Sequence, residues 1–275
     1  MILVTGATGN VGGELVRALA GAGQPVRALT RDENPRDFLP GVQQVAGDLN
    51  KPESMRAALA GASAVFLYPG YQDMAGTLAE ARQAGVRRVV MLSGSSAASG
   101  DTSNAVSRYM IESEATVRAS GLAWTMVRSF GFMSNTLQWI PQLRSGDVVR
   151  APFAGVQVAM IDPSDIAAVA AAALTEPGHD GRVYTVSGPR ALRPADRVRI
   201  LGEALGRDLR FEAQPDDEAR AEMAAAMPAA YVDAFFDFYV KGTLDESQPQ
   251  PDVAVVTGRP PRTFRQWAQA HAGEF

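Results

Sequence analysis

The sequence predicts an α/β fold, a doubly wound parallel sheet followed by a smaller, mostly helical C-terminal lobe. Three observations support this prediction: short apolar runs alternate with segments of helical periodicity, the apolar runs are nearly continuous, and the alternation loosens after about residue 130. Nearly continuous apolar strands are typical of a parallel sheet that helices cover on both faces. We expect a main domain over residues 1–150 and a small lobe over 151–275, with elements of the lobe returning to the main sheet.

The elements follow from the positions of the apolar runs and of the glycines that end the helices. Residues 1–4 form a short apolar strand, and apolar residues then recur at helical spacing as far as Gly21 and Gly23. Further strands are predicted at 26–29, 42–46, 64–68, 89–92, 124–127 and 182–186, and helices at 52–60, 74–84, 109–119 and 162–174. Helices dominate from Ala213 onward, and segment 245–252, rich in Gln and Pro, is predicted to be a flexible loop.

Composition excludes several classes of function. The 275 residues are 46% apolar with a formal charge of −4, so the chain has no basic surface of the kind that binds nucleic acid. Cysteine is absent and His179 and His271 are the only histidines, so no metal site is expected. No apolar run is long enough to span a membrane, and no leader pattern opens the chain. We expect a cytoplasmic monomer or homodimer that contacts neither nucleic acid nor a membrane.

A glycine-rich loop joins the first strand to the first helix. Gly6 permits a tight turn, Gly9 lets backbone N–H groups approach a pyrophosphate, and Gly12 lets the helix pack close to the strand. A tight turn without a ligand is the alternative, but the position between a strand and an amphipathic helix favours a dinucleotide at the helix N-terminus. The predicted contacts in this loop are Gly6, Thr8, Gly9, Asn10, Val11 and Gly12.

The residues after the second and third strands bear on the choice of cofactor. Arg31 follows the second strand, where an arginine suits the 2′-phosphate of NADP(H), so NADP(H) is favoured over NAD(H). Alternatively, Arg31 is solvated and Asp32 accepts from the ribose hydroxyls of NAD(H). Asp48 and Leu49 follow the third strand, where the carboxylate either accepts from the adenine amino group or caps the next helix.

Polar residues also follow the fourth and fifth strands, at the edge where ligands bind in open α/β sheets. Tyr68 and Pro69 end the fourth strand and Ser93 ends the fifth, and we expect these three residues to contact the cofactor. Ser96 and Ser99 further along either orient a ligand or serve only as loop residues.

Several motifs together resemble the NmrA-like branch of atypical short-chain dehydrogenases. They are T-G-A-T-G-N-V-G at 5–12, the arginine after strand two, G-D-L at 47–49, S-G-L-A-W-T-M-V-R-S-F-G-F-M-S-N at 120–135, I-D-P-S-D-I-A-A-V-A-A at 161–171 and G-R-P-P-R-T-F-R-Q-W-A at 258–268. The resemblance covers nearly the whole chain. It implies an NADP-binding Rossmann domain with a small substrate lobe, and an activity among NADPH-dependent quinone, enal or phenylpropanoid reductases or non-catalytic redox-sensing regulators.

One departure from the short-chain dehydrogenase pattern affects the mechanism. Most such enzymes use a Tyr-x-x-x-Lys pair, but Tyr109 is followed four residues later by Ser113, and Lys51 and Lys241 are the only lysines. Arg108, Glu112 and Glu114 occupy the start of this helix instead, where related reductases often carry a lysine. The catalytic residue is therefore left unassigned, with Tyr109 and Ser95 as candidates.

Two aromatic groups indicate the kind of substrate. Aromatic stripes at helical spacing more often belong to a core, but two groups flanking the expected substrate position favour a small, flat aromatic ligand. The candidate substrate contacts are Phe130, Phe132, Met133, Asn135, Trp139, Tyr231, Phe235, Phe238 and Tyr239.

The sequence thus supports an NAD(P)H-dependent oxidoreductase acting on an aromatic ketone or quinone-like substrate. A non-catalytic NADP(H)-sensing regulatory protein is the alternative, supported by the missing lysine. The abundance of Ala, Gly and Arg with little Lys is typical of a GC-rich bacterial genome, and in such hosts the resemblance extends to enzymes of aromatic polyketide pathways.

Overall fold

The structure, a computed structural model that describes residues 1–275, contains nine strands and eleven α-helices joined by short 3₁₀ turns. The strands are β1 (Ile2–Val4), β2 (Val26–Thr30), β3 (Gln43–Ala46), β4 (Ala64–Leu67), β5 (Arg88–Gly94), β6 (Ala123–Ser129), β7 (Val148–Ala151), β8 (Arg182–Val186) and β9 (Arg210–Ala213). The helices are α1 (Asn10–Gly21), α2 (Arg56–Leu59), α3 (Met74–Gln83), α4 (Ala105–Ala119), α5 (Ile140–Ser145), α6 (Pro163–Thr175), α7 (Pro194–Leu205), α8 (Asp216–Ala226), α9 (Ala229–Tyr239), α10 (Asp252–Thr257) and α11 (Phe264–Ala270).

The chain divides into two compact units. The first comprises residues 1–97, 109–129 and 163–185, and the second comprises 98–108, 130–162 and 186–275. Apart from residues 98–108, the second unit begins directly after β6, near residue 130, whereas the sequence predicted a boundary at 150. None of the helices combines the length and the apolar character that crossing a membrane requires.

The predicted α/β fold is confirmed by a seven-stranded sheet with the strand order β3-β2-β1-β4-β5-β6-β8. The pairings from β3 through β6 are all parallel. β4 is buried along its whole length, as expected for a strand that helices cover on both faces. Because the five pairings are parallel, the carboxyl ends of these six strands lie along one edge of the sheet.

Helix α1 packs against the loop before it through a glycine. Its buried residues Val11, Leu15, Val16 and Leu19 form one apolar face. A Cβ placed on Gly12 would lie 2.1 Å from the carbonyl oxygen of Gly6, which is far inside van der Waals contact. Only a glycine therefore fits at residue 12, and the helix begins immediately beside the end of β1.

Helix α6 belongs to the first unit although it lies far along the chain. Its alanine-rich sequence is buried on several sides, and it packs against α1 and against the β4, β5 and β6 strands. Small side chains allow this close packing on more than one face. Helix α6 and β8 thus complete the first unit from the C-terminal half of the chain.

The second unit contains β7 and β9, a parallel pair that the sequence reading missed, and a core built around Trp139, Leu201 and Trp267. Segment 245–252 is irregular, but it is fixed in this unit rather than free. Glu246 is 5% exposed, its backbone carbonyl accepts from Ala159 N at 2.8 Å, and Gln250 N donates to the Ser187 hydroxyl at 2.7 Å.

A buried carboxylate ties α4 to the ends of β5 and β6. Glu114 is 1% exposed, accepts 2.7 Å hydrogen bonds from the Ser93 hydroxyl and Arg118, and forms a two-point pair with Arg128 at 2.8 and 2.7 Å. Burial raises the pKa of Glu114, but the hydrogen bonds from Arg128, Ser93 and Arg118 outweigh it, so the pKa lies below its ordinary value. The carboxylate is therefore charged at neutral pH and stabilises the fold.

Replacing this carboxylate is expected to destabilise the protein in a pH-dependent way. Glu114→Gln leaves the arginines without a counter-charge, so we expect a loss of about 3 kcal/mol of unfolding free energy at pH 7, measured by urea denaturation. A lowered carboxyl pKa contributes stability above the unfolded-state pKa, and this contribution is lost as the pH falls through the folded-state pKa. The stability difference between wild type and variant should therefore shrink as the pH falls below 4.5, the ordinary value for the carboxyl group. Glu112→Gln, an exposed change on the same helix, is the control, and an equal loss in both variants would contradict the prediction.

The close approach at Gly12 gives a second expectation. Gly12→Ala should cost about 1–3 kcal/mol of stability, because the new methyl group meets backbone atoms that cannot move aside. Gly13→Ala is the matched control: its Cβ would meet nothing nearer than 3.5 Å, and alanine is favoured over glycine inside a helix by about 0.5–1 kcal/mol. Urea denaturation of both variants should give changes of opposite sign, and a stable Gly12→Ala protein would show that the loop can relax.

Candidate functional site

The glycine loop leaves the N-terminus of α1 open. Gly9 occupies the N-cap position, so no side chain caps the helix, while Gly9 N donates to Gly6 O at 2.9 Å within the turn. Gly6 has a φ of +62°, a left-handed conformation that glycine adopts without strain. Thr8, Gly9 and Asn10 are exposed and Val11 and Gly12 form the first turn. These backbone N–H groups and the helix dipole fit the pyrophosphate of a dinucleotide.

The carboxyl end of β2 presents one arginine and one acid. Arg31 is exposed directly after β2, and it forms no ion pair or hydrogen bond. The Asp32 carboxylate accepts from Asn34 N at 3.0 Å and from Arg36 at 3.2 Å. The acid is thus engaged within the loop, whereas the Arg31 guanidinium faces solvent.

The carboxyl end of β3 carries Asp48 and Leu49. The Asp48 carboxylate accepts from the backbone and side-chain nitrogens of Asn50 at 3.0 and 3.3 Å, so it fixes the turn that precedes the 3₁₀ helix Pro52–Met55. Leu49 packs against the core of the first unit, and its carbonyl accepts from Thr77 at 3.3 Å. Asp48 therefore does not cap the following helix, whose N-cap residue is Lys51 with no side-chain cap, and its contact with adenine stays a prediction.

The carboxyl end of β4 lies beside the glycine loop. Tyr68 N donates to the Thr5 hydroxyl at 2.8 Å, and a Cβ on Gly6 would lie 3.7 Å from the Tyr68 side chain. Tyr68 is 49% exposed and Pro69 is buried. Ser93 does not fit its predicted cofactor contact, because it is 2% exposed and its hydroxyl donates to Glu114.

The two catalytic candidates also belong to the first unit. The Tyr109 phenol packs against Gly70, so closely that a Cβ there would lie 1.7 Å from the phenolic oxygen. Gly70, with a φ of +101°, therefore makes room for the phenol in the loop after β4. Ser95 opens the 3₁₀ helix Ser95–Ser99 after β5 and is half-buried.

A cavity of about 610 Å³ lies entirely within the second unit. Four of the nine predicted substrate contacts line it: Asn135, Trp139, Phe235 and Tyr239. The other five do not line it: Phe130, Met133 and Phe238 are buried, Phe132 bridges to Ile161, and Tyr231 is exposed. The aromatic helix α9 therefore presents one face to the cavity and another to the core.

Sequence reasoning missed several residues that line this cavity, notably Phe153, Arg197 and Met223. Phe153 has a φ of +57°, a conformation that is rare for a bulky residue, and its ring packs on Phe236 and Tyr239 at 5.3 and 5.1 Å between centroids. Arg197 lies on the same stripe of α7 as Pro194 and Leu201, where helical periodicity calls for apolar residues. The sequence therefore contained a signal for Arg197, namely a charged residue at an apolar position of an amphipathic helix.

The two units thus carry different chemistry. The first offers backbone N–H groups, an unpaired arginine and hydroxyls at the carboxyl edge of a parallel sheet, all suited to a dinucleotide. The second offers an aromatic-lined cavity with a few polar groups, suited to a small organic molecule.

Comparison with known proteins agrees with this geometry. A family model described as NAD(P)H-binding matches residues 6–177. A (4-alkanoyl-5-oxo-2,5-dihydrofuran-3-yl)methyl phosphate reductase of Streptomyces griseus is 44% identical, over 100% of this chain and 99% of the relative. An NAD(P)H azoreductase of Xenophilus azovorans is 40% identical, with coverage of 100% and 99%. The fold also matches an NADPH-dependent quinone oxidoreductase from Escherichia coli, with a TM-score of 0.80 at 22% identity and coverage of 98% and 99%.

The family match spans more than half of the chain, and the two reductases align along its full length. A structure of NmrA itself also shares the fold, with a TM-score of 0.74 at 16% identity over 98% of this chain and 94% of that one. The chain therefore belongs to the NAD(P)H-binding family, shares its fold with NmrA, and is an NAD(P)H-dependent oxidoreductase.

Proposed function

We propose that this oxidoreductase uses NADPH in preference to NADH and reduces a flat, conjugated carbonyl compound, a quinone or an aromatic ketone. The observation that carries the proposal is the cavity of the second unit, whose walls include Trp139, Phe153, Phe235 and Tyr239. Aromatic walls favour flat, apolar ligands. Two relatives add support, since one is a reductase of a (4-alkanoyl-5-oxo-2,5-dihydrofuran-3-yl)methyl phosphate and another is an azoreductase.

The preference for NADPH rests on the two residues after β2. An acid that selects NADH accepts from the ribose hydroxyls, and at Asp32 the bonds from Asn34 N and Arg36 compete with those hydroxyls. Arg31 is exposed and has no partner, so its guanidinium is available for a phosphate in the two-point geometry that arginine favours.

The chemistry requires little acid catalysis from the protein when the substrate is a quinone. When bound, NADPH supplies a hydride, and a quinone that accepts this hydride and one proton becomes a hydroquinone. The anion formed before protonation is stabilised by the aromatic ring, so water is a sufficient proton source. A ketone would give a much more basic alkoxide, which needs a positioned donor. Tyr109 beside Gly70 is the proposed donor for that case, without the lysine that normally lowers the tyrosine pKa.

The cofactor preference is tested with Arg31→Ala. The lost charge-assisted contact should weaken NADPH binding by about tenfold or more and leave NADH binding nearly unchanged, as measured by calorimetric titration. Arg82→Ala, an exposed arginine on α3, is the control and should change neither affinity. Equal losses for both nucleotides, or no loss for NADPH, would contradict a role for Arg31 at the 2′-phosphate.

The proton source is tested with Tyr109→Phe. We expect the variant to lower kcat for 1-tetralone about 100-fold while changing kcat for 2-methyl-1,4-naphthoquinone little, because only the ketone needs the phenol. Tyr231→Phe is the control, since Tyr231 is exposed and does not line the cavity. Stopped-flow oxidation of NADPH measures both rates. Equal effects on the two substrates would exclude Tyr109 as a selective donor, and no turnover of any quinone or ketone would overturn the proposed substrate class.

A further inference from the structure

The cavity of the second unit contains a positive charge with no counter-charge. Arg197, in the second turn of α7, lines the cavity, and its guanidinium carbon lies 5.1 Å from the centre of the Trp139 ring. Its Nε is buried and has no hydrogen-bond partner. The face of an aromatic ring attracts a cation but does not replace a hydrogen-bond acceptor.

Burial lowers the pKa of Arg197 to about 10, while the neighbouring Tyr239 phenol acts in the opposite direction. The guanidinium is therefore still protonated at neutral pH. Burial and the Glu246 carboxylate raise the pKa of Tyr239 above its ordinary range, so its hydroxyl stays protonated and can donate. The Glu246 carboxylate does not contribute to the pKa shift of Arg197, so it does not serve as the counter-charge of this arginine.

The other charged groups of the cavity are already partnered. Arg150 donates to Glu218 at 2.7 Å and lies 3.9 Å from Glu212. The Glu222 carboxylate accepts from Gln214 at 2.7 Å. Its charge raises the pKa of Arg150 and does not contribute to the pKa shift of Arg197. Arg197 is thus the charged group of this cavity that lacks an opposite charge.

A guanidinium whose Nε is buried without an acceptor is costly, and proteins normally pair such groups. Elsewhere in the same unit, Arg262 is held against the buried Asp162 at 3.0 Å. The missing partner of Arg197 is therefore expected to come from the ligand, and an oxyanion provides the two acceptor atoms that the planar guanidinium matches.

We propose that the cavity recognises substrates that carry an oxyanion, a phosphate ester or a carboxylate, through the guanidinium of Arg197 with the Tyr239 hydroxyl as a second donor. The proposal deepens the proposed function and rests on this cavity being the substrate site. Phe153, Phe235 and Met223 line the same cavity and enclose the apolar part of such a ligand. The substrate class is thereby narrowed to a conjugated carbonyl compound that bears an anionic group.

Direct binding tests the proposal independently of turnover. The probes are 1-naphthyl phosphate and 1-naphthoate as the two oxyanions and 1-naphthol as the neutral analogue, none of which is a carbonyl substrate for reduction. Calorimetric titrations are run on the full chain, without cofactor and with saturating NADP⁺. The wild type should bind at least one oxyanion at least about tenfold more tightly than 1-naphthol, and the better anion identifies the group.

The variants are Arg197→Met, which keeps the length of the side chain, Arg197→Lys, and Arg150→Met as the matched control. Arg197→Met should reduce the preference for the oxyanion to about one, Arg197→Lys should retain part of it, and Arg150→Met should retain it, because Arg150 is already paired with Glu218. Thermal unfolding establishes that each variant is folded, and if Arg197→Met is not, the comparison of Arg197→Lys with Arg150→Met carries the test.

Several results would overturn the proposal: no preference for either oxyanion in the wild type, no binding of any probe, or equal loss of the preference in Arg197→Met and Arg150→Met. Turnover distinguishes this failure from failure of the proposed function. If neutral quinones are reduced but oxyanions are not preferred, the proposed reductase activity is supported and the proposed recognition of an oxyanion by Arg197 is wrong. If the oxyanions bind through Arg197 but no conjugated carbonyl compound is reduced, the binding site stands and the proposed reaction is wrong.

Discussion

The close approach of α1 to the end of β1 is the constraint on which the rest of the first unit depends. The absence of a side chain at Gly12 lets the helix begin beside the Gly6 carbonyl, where a Cβ would be only 2.1 Å away. β1 lies between β2 and β4, so this placement brings the open N-terminus of α1 to the edge where the neighbouring strands end. Helix α6 then packs against α1, and a segment from the second half of the chain completes the unit.

The hydrogen-bonded cluster around Glu114 occupies the part of α4 in which short-chain dehydrogenases usually carry a lysine. Ser113 stands where a Tyr-x-x-x-Lys helix would carry its lysine, and the next residue, Glu114, joins α4 to Ser93 on β5 and Arg128 on β6. A carboxylate whose bonds are directed into the structure cannot lower the pKa of a tyrosine as a lysine does. This part of α4 therefore stabilises the scaffold through Glu114 and supplies no lysine for acid catalysis, which favours electrophiles whose reduced form is already stabilised.

Most of the first unit could be predicted from the sequence, because nearly continuous apolar strands and glycine-ended helices are local signals. The start of α4 was placed four residues late, because the Asn104 side chain caps it through Val106 N and Ser107 N. β7 and β9 were missed because each has four residues and they pair only with each other across 58 intervening residues. Their pairing depends on tertiary packing, which hydrophobic periodicity does not report.

Backbone contacts and side-chain contacts differ in how far a sequence can predict them. Backbone contacts in a glycine loop follow from the loop itself. The direction of a side chain depends on what packs around it, and the Ser93 hydroxyl is directed to Glu114 rather than to the sheet edge.

The two arginines without an ion-pair partner, Arg31 and Arg197, differ in what the missing partner means. An exposed arginine such as Arg31 is solvated by water, so the lack of a partner carries no information and only its position after β2 does. For the buried Nε of Arg197, water offers no such compensation, and because this side chain lines the cavity, its missing acceptor is expected to come from a ligand.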